Sequence, residues 1–379
     1  MAPLHQSLSG LQPTQTAGEF TLTLDPEWAI LRSPHGGYLL LLIVNALNQL
    51  QSSTPHPDPT HATAHFLKSP SLDFDNGQVK LRVQTLKKGR GYTYLIAELY
   101  QKQALLLTST LIYSDLPHLP LNDEIGTPSP SNPTLLPLSN SAFAPISPLL
   151  THPEHCRHGP QTKERGRRWS DESIFDHWKA GRFSWREDEQ LRQEREDDQE
   201  KEGKVLKWGA WYQLDHPKDV ISSATLPSVL PLPQTALVLM LCQHRYYADL
   251  FSSIPELLPP AERQGPTWYP TISMTMQWFI KLSDLYPTST STPRSTGYIV
   301  DPRAVGLYST GKIVLGGRHQ QDVEVWTSPT SLDPGAEGEV EGWRKKSMLL
   351  CTSTQMALCL PAPGFGPDDV VGGGAKSKL

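Results

Sequence analysis

The sequence lacks most of the features that fix a function at first sight. It has 4 cysteines in 379 residues, at 156, 242, 351 and 359, with neither zinc-ligand spacing nor the density of a disulfide framework. They read as reduced, structural thiols. Neither sign of charge dominates, and a net charge of -5 provides no basic surface for general nucleic-acid binding. Long apolar runs are missing too. The longest, residues 38–44, is far too short to span a bilayer. Residues 1–18 lack the basic start and apolar centre of a secretory signal. The chain therefore reads as soluble and made in the cytosol. The serine-hydrolase elbow is absent, since Gly306-Leu-Tyr-Ser-Thr-Gly has the wrong spacing. So are a Walker loop, a dinucleotide fingerprint and a zinc-protease helix. The 13 histidines are scattered without ligand spacing, and His65 and His244 read as structural. No metal and no cofactor is expected.

Proline, by contrast, is plentiful. Its 35 copies mark long irregular connections. The chain also ends in Ser377-Lys378-Leu379, the tripeptide read by the peroxisomal import receptor. A given tripeptide ends a chain by chance on the order of once in several thousand sequences. The residues before it, Pro361-Ala-Pro-Gly-Phe-Gly-Pro and Gly372-Gly-Gly-Ala, suit neither helix nor strand and would display the terminus on a flexible tether. The expectation is a peroxisomal protein with the import receptor as a partner.

Two segments follow one plan. Residues 19–116 open with the strand Phe20-Thr-Leu-Thr-Leu, then Trp28 and His35-Gly-Gly-Tyr. Residues 39–50 are apolar on nearly all sides, as a buried helix is. Strands are predicted at 60–67, 78–86, 92–100 and 104–113. Val79, Leu81 and Val83 alternate with polar residues, which marks a half-buried strand. Asp75-Asn-Gly and Lys87-Lys-Gly-Arg-Gly supply turns. Residues 205–361 repeat the order: a strand near 206–212, an apolar helix near 233–250, then strands near 271–282, 297–308, 322–326 and 346–358. Residues 328–342 read as an insertion in a hairpin. Two strings recur in the same order, His65-Phe-Leu-Lys with Trp278-Phe-Ile-Lys, and Leu107-Thr-Ser-Thr-Leu with Cys351-Thr-Ser-Thr-Gln. Duplication follows. Residues 1–18 form an N-terminal extension and 362–379 a flexible tail. Residues 117–204 are a linker, first Pro/Ser-rich, then charged. Charge runs are usually solvated, so 180–203 is expected to lie outside both units. The fold class is α+β: a double hotdog, two antiparallel sheets each wrapped around a long central helix. The sheets should join into one, burying each other's edges, with both helices on the same side.

Specific residues carry a likeness to one family. In the first half they are Trp28, His35-Gly-Gly-Tyr, Ala64-His-Phe-Leu-Lys, Leu86-Lys-Lys-Gly-Arg and Ala97-Glu-Leu-Tyr-Gln. In the second they are Ala248-Asp-Leu, Pro270-Thr-Ile, Val323-Glu-Val-Trp and Ser353-Thr-Gln. Over 19–115 and 205–361 the chain resembles the double-hotdog, type II acyl-CoA thioesterases, and looks closest to their fungal thioesterase-like branch. The resemblance implies hydrolysis of acyl-CoA to free acid and CoA by direct attack of water. It implies that an Asp, a Thr and a Gln hold and activate that water, roles that fall on Asp249, Thr271 and Gln355.

The chemistry suits those residue types. A carboxylate can take a proton from the attacking water. A hydroxyl and an amide can fix the water's direction. Gly36 and Gly37 open a buried helix, where free backbone N–H groups can bind a developing oxyanion. Taken singly, Asp249 reads equally as a polar residue at a helix C-terminus, and Thr271 as a β-branched strand residue. Gln355 interrupts an apolar strand ending, and its counterpart in the first unit is Leu111. That asymmetry points to one site, built by the second unit. Where the family often has Asp-His-Ser, this chain has Ser273-Met-Thr. Asp284 and Asp301 are further carboxylates of the second unit. Val300-Asp-Pro-Arg lacks the histidine of the hotdog hydratases, which argues against dehydration. Two other classes stay open: a non-catalytic acyl-CoA-binding or scaffold protein, and an acyl-transfer enzyme of secondary metabolism. A homo-oligomer also stays open.

Overall fold

The computed structural model describes residues 4–30, 33–34, 36–116, 144–156, 183–197, 205–214, 216, 218–226, 253–259, 262, 267–285, 301–311, 314–333, 335–336 and 341–361. The N-terminal unit consists of β1 (Glu19–Thr23), α1 (Gly36–Gln51), β2 (Asp58–Phe66), β3 (Gln78–Lys88), β4 (Thr93–Gln101) and β5 (Ala104–Ser114). There follow β6 (Phe183–Glu187), α2 (Glu189–Asp197), β7 (Leu206–Leu214), β8 (Thr271–Trp278), β9 (Ala304–Gly311), β10 (Arg318–Thr327) and β11 (Leu349–Leu358). All these strands belong to one 13-stranded antiparallel sheet, in the order β1-β3-β4-β5-β2-β8-β11-β10-β9-β7-β6. The two short strands Gln12–Pro13 and Val314–Leu315 extend it. The order reads the same outward from the β2–β8 junction in both directions, so two copies of one sheet meet edge to edge. Each thereby covers a backbone edge that would otherwise be free to pair with another chain.

The junction has a centre. Thr63 stands opposite Thr275, and their hydroxyls are 3.5 Å apart. Phe66 pairs with Leu107 as Trp278 pairs with Cys351. Structural equivalence therefore matches Phe66, not His65, to Trp278. The recurring strings are one residue out of register in this strand. A one-residue slip moves every side chain to the other face, and the face decides: Ala62, Ala64, Met274, Met276 and Trp278 are buried, whereas His65 is exposed. Lys281 bridges the units through Asp115 at 2.8 Å and Asp58 at 3.3 Å.

Helix α1 is the core of the N-terminal unit. Leu40, Leu41, Leu42, Ile43, Val44 and Leu47 are fully buried, because the concave sheet covers one side and its neighbours the other. Truncating one of these leucines would cost about 2–5 kcal/mol. Thr54 ends the helix by donating its hydroxyl to the carbonyl of Gln51 at 2.9 Å, and Pro55 follows. The second helix, expected at 233–250, lies outside the described residues.

The charged segment corrects an expectation. Residues 183–187 do not lie outside both units; they form the edge strand β6 on β7. The buried Asp188 accepts hydrogen bonds from the N–H groups of Leu150, Thr151 and Leu191 at 2.7, 3.0 and 3.2 Å, and from the Thr151 hydroxyl at 2.8 Å. It thereby caps α2 and pins residues 150–151 to it. Arg186 donates to the carbonyls of Pro153 and Leu332 at 2.7 and 2.8 Å. Leu149, Leu191, Trp211, Leu332 and Trp343 form a second hydrophobic core on the outer face of β7 and β9. Gly209 makes room for it, since a Cβ there would lie 2.5 and 2.6 Å from Leu191 and Leu149. The charges turned to solvent, Glu189, Arg192 and Glu196, pair along α2. Charge density reports only that exposed face.

Candidate functional site

Thr271 and Gln355 lie on the inner face of the C-terminal sheet, in adjacent rows. Thr271, Ala357 and His319 stand side by side on β8, β11 and β10. One step inward are Met274, Gln355 and Gln321. Ser309, on β9, accepts a hydrogen bond from Gln321 Nε2 at 2.6 Å. A bulge between Thr271 and Ser273 turns the Thr271 side chain inward; the N-terminal unit has the same irregularity between Pro59 and His61.

Pairing gives the counterparts in the first unit. The outer row there is Pro59, Tyr113 and Thr93, and the inner row is Ala62, Leu111 and Leu95. Val83 holds the place of Ser309. Apolar side chains fill that interior, and the Tyr113 hydroxyl donates to Asn48 Oδ1 of α1 at 2.9 Å. In the second unit, glutamines replace both leucines, and Ala357 leaves the room that the Tyr113 ring occupies.

The polar rows are buried. Gln355 is 1% exposed, Gln321 0%, His319 1% and Thr271 8%. The Thr271 hydroxyl, Gln321 Oε1 and both nitrogens of His319 have no hydrogen-bond partner among the described residues. Each such group costs about 1–3 kcal/mol, so stability alone does not account for them. Ser353 Oγ is also without a partner, but so is its counterpart Ser109, which makes that hydroxyl a feature of the fold. Burial pushes the His319 pKa down to about 4, so the imidazole is neutral near pH 7. Tyr269 packs edge-on against its ring, 5.5 Å between centroids.

The start of α1 lies at the same end of the sheet. Its last turns sit beside Tyr113. In its first turn the Tyr38 hydroxyl accepts the N–H of Asp25 at 3.2 Å, next to the start of β3. The start of β3 and the end of β2 share one end of the N-terminal sheet, and there His65 of β2 faces Ser273 of β8. Gly36 and Gly37 are buried in that first turn, where backbone N–H groups lack helical acceptors. Asp301 is at the opposite end. Its N–H bonds the carbonyl of Ser328 at 3.0 Å, a run of about nine residues from His319, roughly 30 Å at the rise of a strand. Burial pushes its carboxyl up, and it accepts the N–H of Arg303 at 2.8 Å. Asp301 is therefore no substitute for Asp249. Asp249 itself lies outside the described residues, and so does the Ser377–Leu379 tripeptide.

Sequence reasoning missed His319, Gln321 and Ser309. A signal was present: in β10 the alternate residues His319, Gln321, Val323 and Val325 share a face. Starting that strand at 322 removed the polar half of the pattern.

Two copies of one antiparallel sheet joined edge to edge, the first packed on a long buried helix, define a double hotdog. Residues 24–114 match the acyl-CoA thioesterase N-terminal domain, and the first unit belongs to that domain family. Over 103 residues the chain is 36% identical to the ustilagic acid biosynthesis cluster protein orf2 of Mycosarcoma maydis, a match that covers 26% of each protein. A solved structure from Thermobifida fusca, provisionally named thioesterase II, superposes with a TM-score of 0.56 at 17% identity, over 95% of this chain and 98% of that one. The acyl-CoA thioesterase II TesB2 of Mycobacterium marinum does so with a TM-score of 0.52 at 10% identity, over 95% and 99%. Identities this low establish the shared fold.

Proposed function

We propose that the chain is an acyl-CoA thioesterase with a single site, built by the C-terminal unit at the start of β8. The observation that carries the reading is the replacement of Leu111 by Gln355 in one fold used twice. The first unit packs a leucine, Leu111, at this place, so the fold does not require an amide there, and the amide suits the holding of something polar. Thr271 and Gln355 would orient a water, and Asp249 would take its proton as the oxygen bonds to the thioester carbon. The oxyanion would bind the N–H groups of Gly36 and Gly37. Collapse then breaks the C–S bond, and the proton goes to the CoA sulfur. Ser377-Lys378-Leu379 supports a peroxisomal location, and a fluorescent protein ending in this tail should enter peroxisomes.

Release of free CoA thiol from short, medium and long acyl-CoAs tests the reading. The wild-type chain should release thiol. Asp249→Asn keeps the shape, removes the base and should lower turnover by roughly 10²-fold, with acyl-CoA binding retained. Binding without thiol release at any chain length would mark a scaffold. Acyl delivery to an acceptor other than water would mark a transferase.

A further inference from the structure

His319 has no place in the set inferred from family likeness, yet it stands in the outer row of the same site. It is 1% exposed, and neither ring nitrogen has a hydrogen-bond partner among the described residues. A neutral imidazole carries one donor and one acceptor, and leaving both unpaired inside a protein is costly. Three features of its surroundings give it a task. Ala357 is the residue between His319 and Thr271, so the two face each other over a methyl group. The matching place in the first unit holds Tyr113, whose ring fills the interior and whose hydroxyl is taken up by Asn48. Two strand spacings separate the Cα atoms of His319 and Thr271 by about 10 Å, a span over which both side chains can reach one small polar group. Tyr269 braces the ring edge-on at 5.5 Å, which fixes its plane before anything binds.

Resting on the thioesterase reading, we propose that His319 is a further catalytic residue, holding the attacking water from the side of Ala357 opposite Thr271. In the attack, the water oxygen bonds to the thioester carbon and one proton goes to Asp249. The acceptor nitrogen of His319 holds the other hydrogen, which stays on the product acid. The imidazole gains and loses no proton, and its depressed pKa keeps the acceptor lone pair free at neutral pH. β8 carries no histidine, and β10 supplies an imidazole from the neighbouring side.

The test is steady-state thiol release and thermal melting of the full chain and three variants. His319→Phe keeps the ring volume and removes both polar atoms. It should lower kcat by about 10–10²-fold, leave KM within about a factor of two, and leave melting unchanged or raised, because an unpaired buried group is gone. His319→Gln restores an acceptor and should recover part of kcat. His319→Thr imports the residue of the first unit, Thr93, and should show the same kcat loss; it reads the proposal if the Phe variant does not fold. Wild-type kcat in a folded Phe or Thr variant overturns the role of His319 and leaves the thioesterase reading standing. So does a loss of activity that merely tracks lost folding. Absence of thiol release from the wild-type chain sinks both.

Discussion

The two units differ on both faces of the sheet they share. In the N-terminal unit the outer face meets water. There Glu19 pairs with Lys80 at 2.5 Å and Arg82 at 3.1 Å, and Arg82 lies over the Tyr100 ring at 5.0 Å. Its inner face is apolar, with Leu95, Leu111 and Tyr113 buried there. In the C-terminal unit the inner face carries His319, Gln321, Gln355 and Ser309, while the outer face of β7 and β9 is buried under Leu149, Leu191 and Trp343. Apolar burial has been added outside the unit that gives it up inside. A fully buried Leu contributes about 1.5–3 kcal/mol, the same order as the cost of an unpaired polar group. Duplication lets one unit keep an apolar interior and leaves the other to carry buried polar groups that stability alone would not favour.

Making the units alike should abolish what separates them, and the largest effect should be on turnover. Gln355→Leu gives the second unit the residue of the first. It should lower thiol release by roughly 10²-fold or more while the fold is kept. Combined with Asp249→Asn, the losses should not add, because both residues act on one water. Unchanged turnover would move the chemistry out of these rows. Next in size is the outer layer. Asp188→Ala strands the N–H groups of Leu150, Thr151 and Leu191 and should cost about 3 kcal/mol or more, read by urea unfolding. A loss under about 0.5 kcal/mol, the size of ordinary surface substitutions, would show that the layer does not support the second unit. The smallest change is the reciprocal one. Leu111→Gln puts an amide into the apolar interior. Beside Ala62 and Leu95 it should cost about 2 kcal/mol with thiol release per folded molecule unchanged. A gain of activity would mean that the first unit holds a latent site.

Much of this was legible in the chain. The alternation in residues 78–83, the all-round apolar stretch of α1 and the repeated order of elements are local signals. They pointed to two units, to the N-terminal strands within two residues and to the contrast between Gln355 and Leu111, whereas in the second unit the strand expected at 297–308 begins at Ala304 and the one expected at 322–326 begins at Arg318. The charged segment misled because Arg186 and Asp188 are satisfied by partners far away in sequence, Leu332 and Leu150 among them, while the exposed side of α2 supplies the charge count.

The sequence by itself determined which residues alternate and which run is apolar throughout, because side-chain spacing along a strand or helix is fixed by backbone geometry. It also fixed the tripeptide tail. Tertiary structure alone decided which residues share a row. His319, Ala357 and Thr271 are neighbours only because β10, β11 and β8 hydrogen-bond in that order, and Thr271 points inward only because a bulge precedes Ser273. The same pairing moved the match of Trp278 from His65 to Phe66. Row membership depends on hydrogen bonds between strands distant in the chain, and no local pattern encodes them.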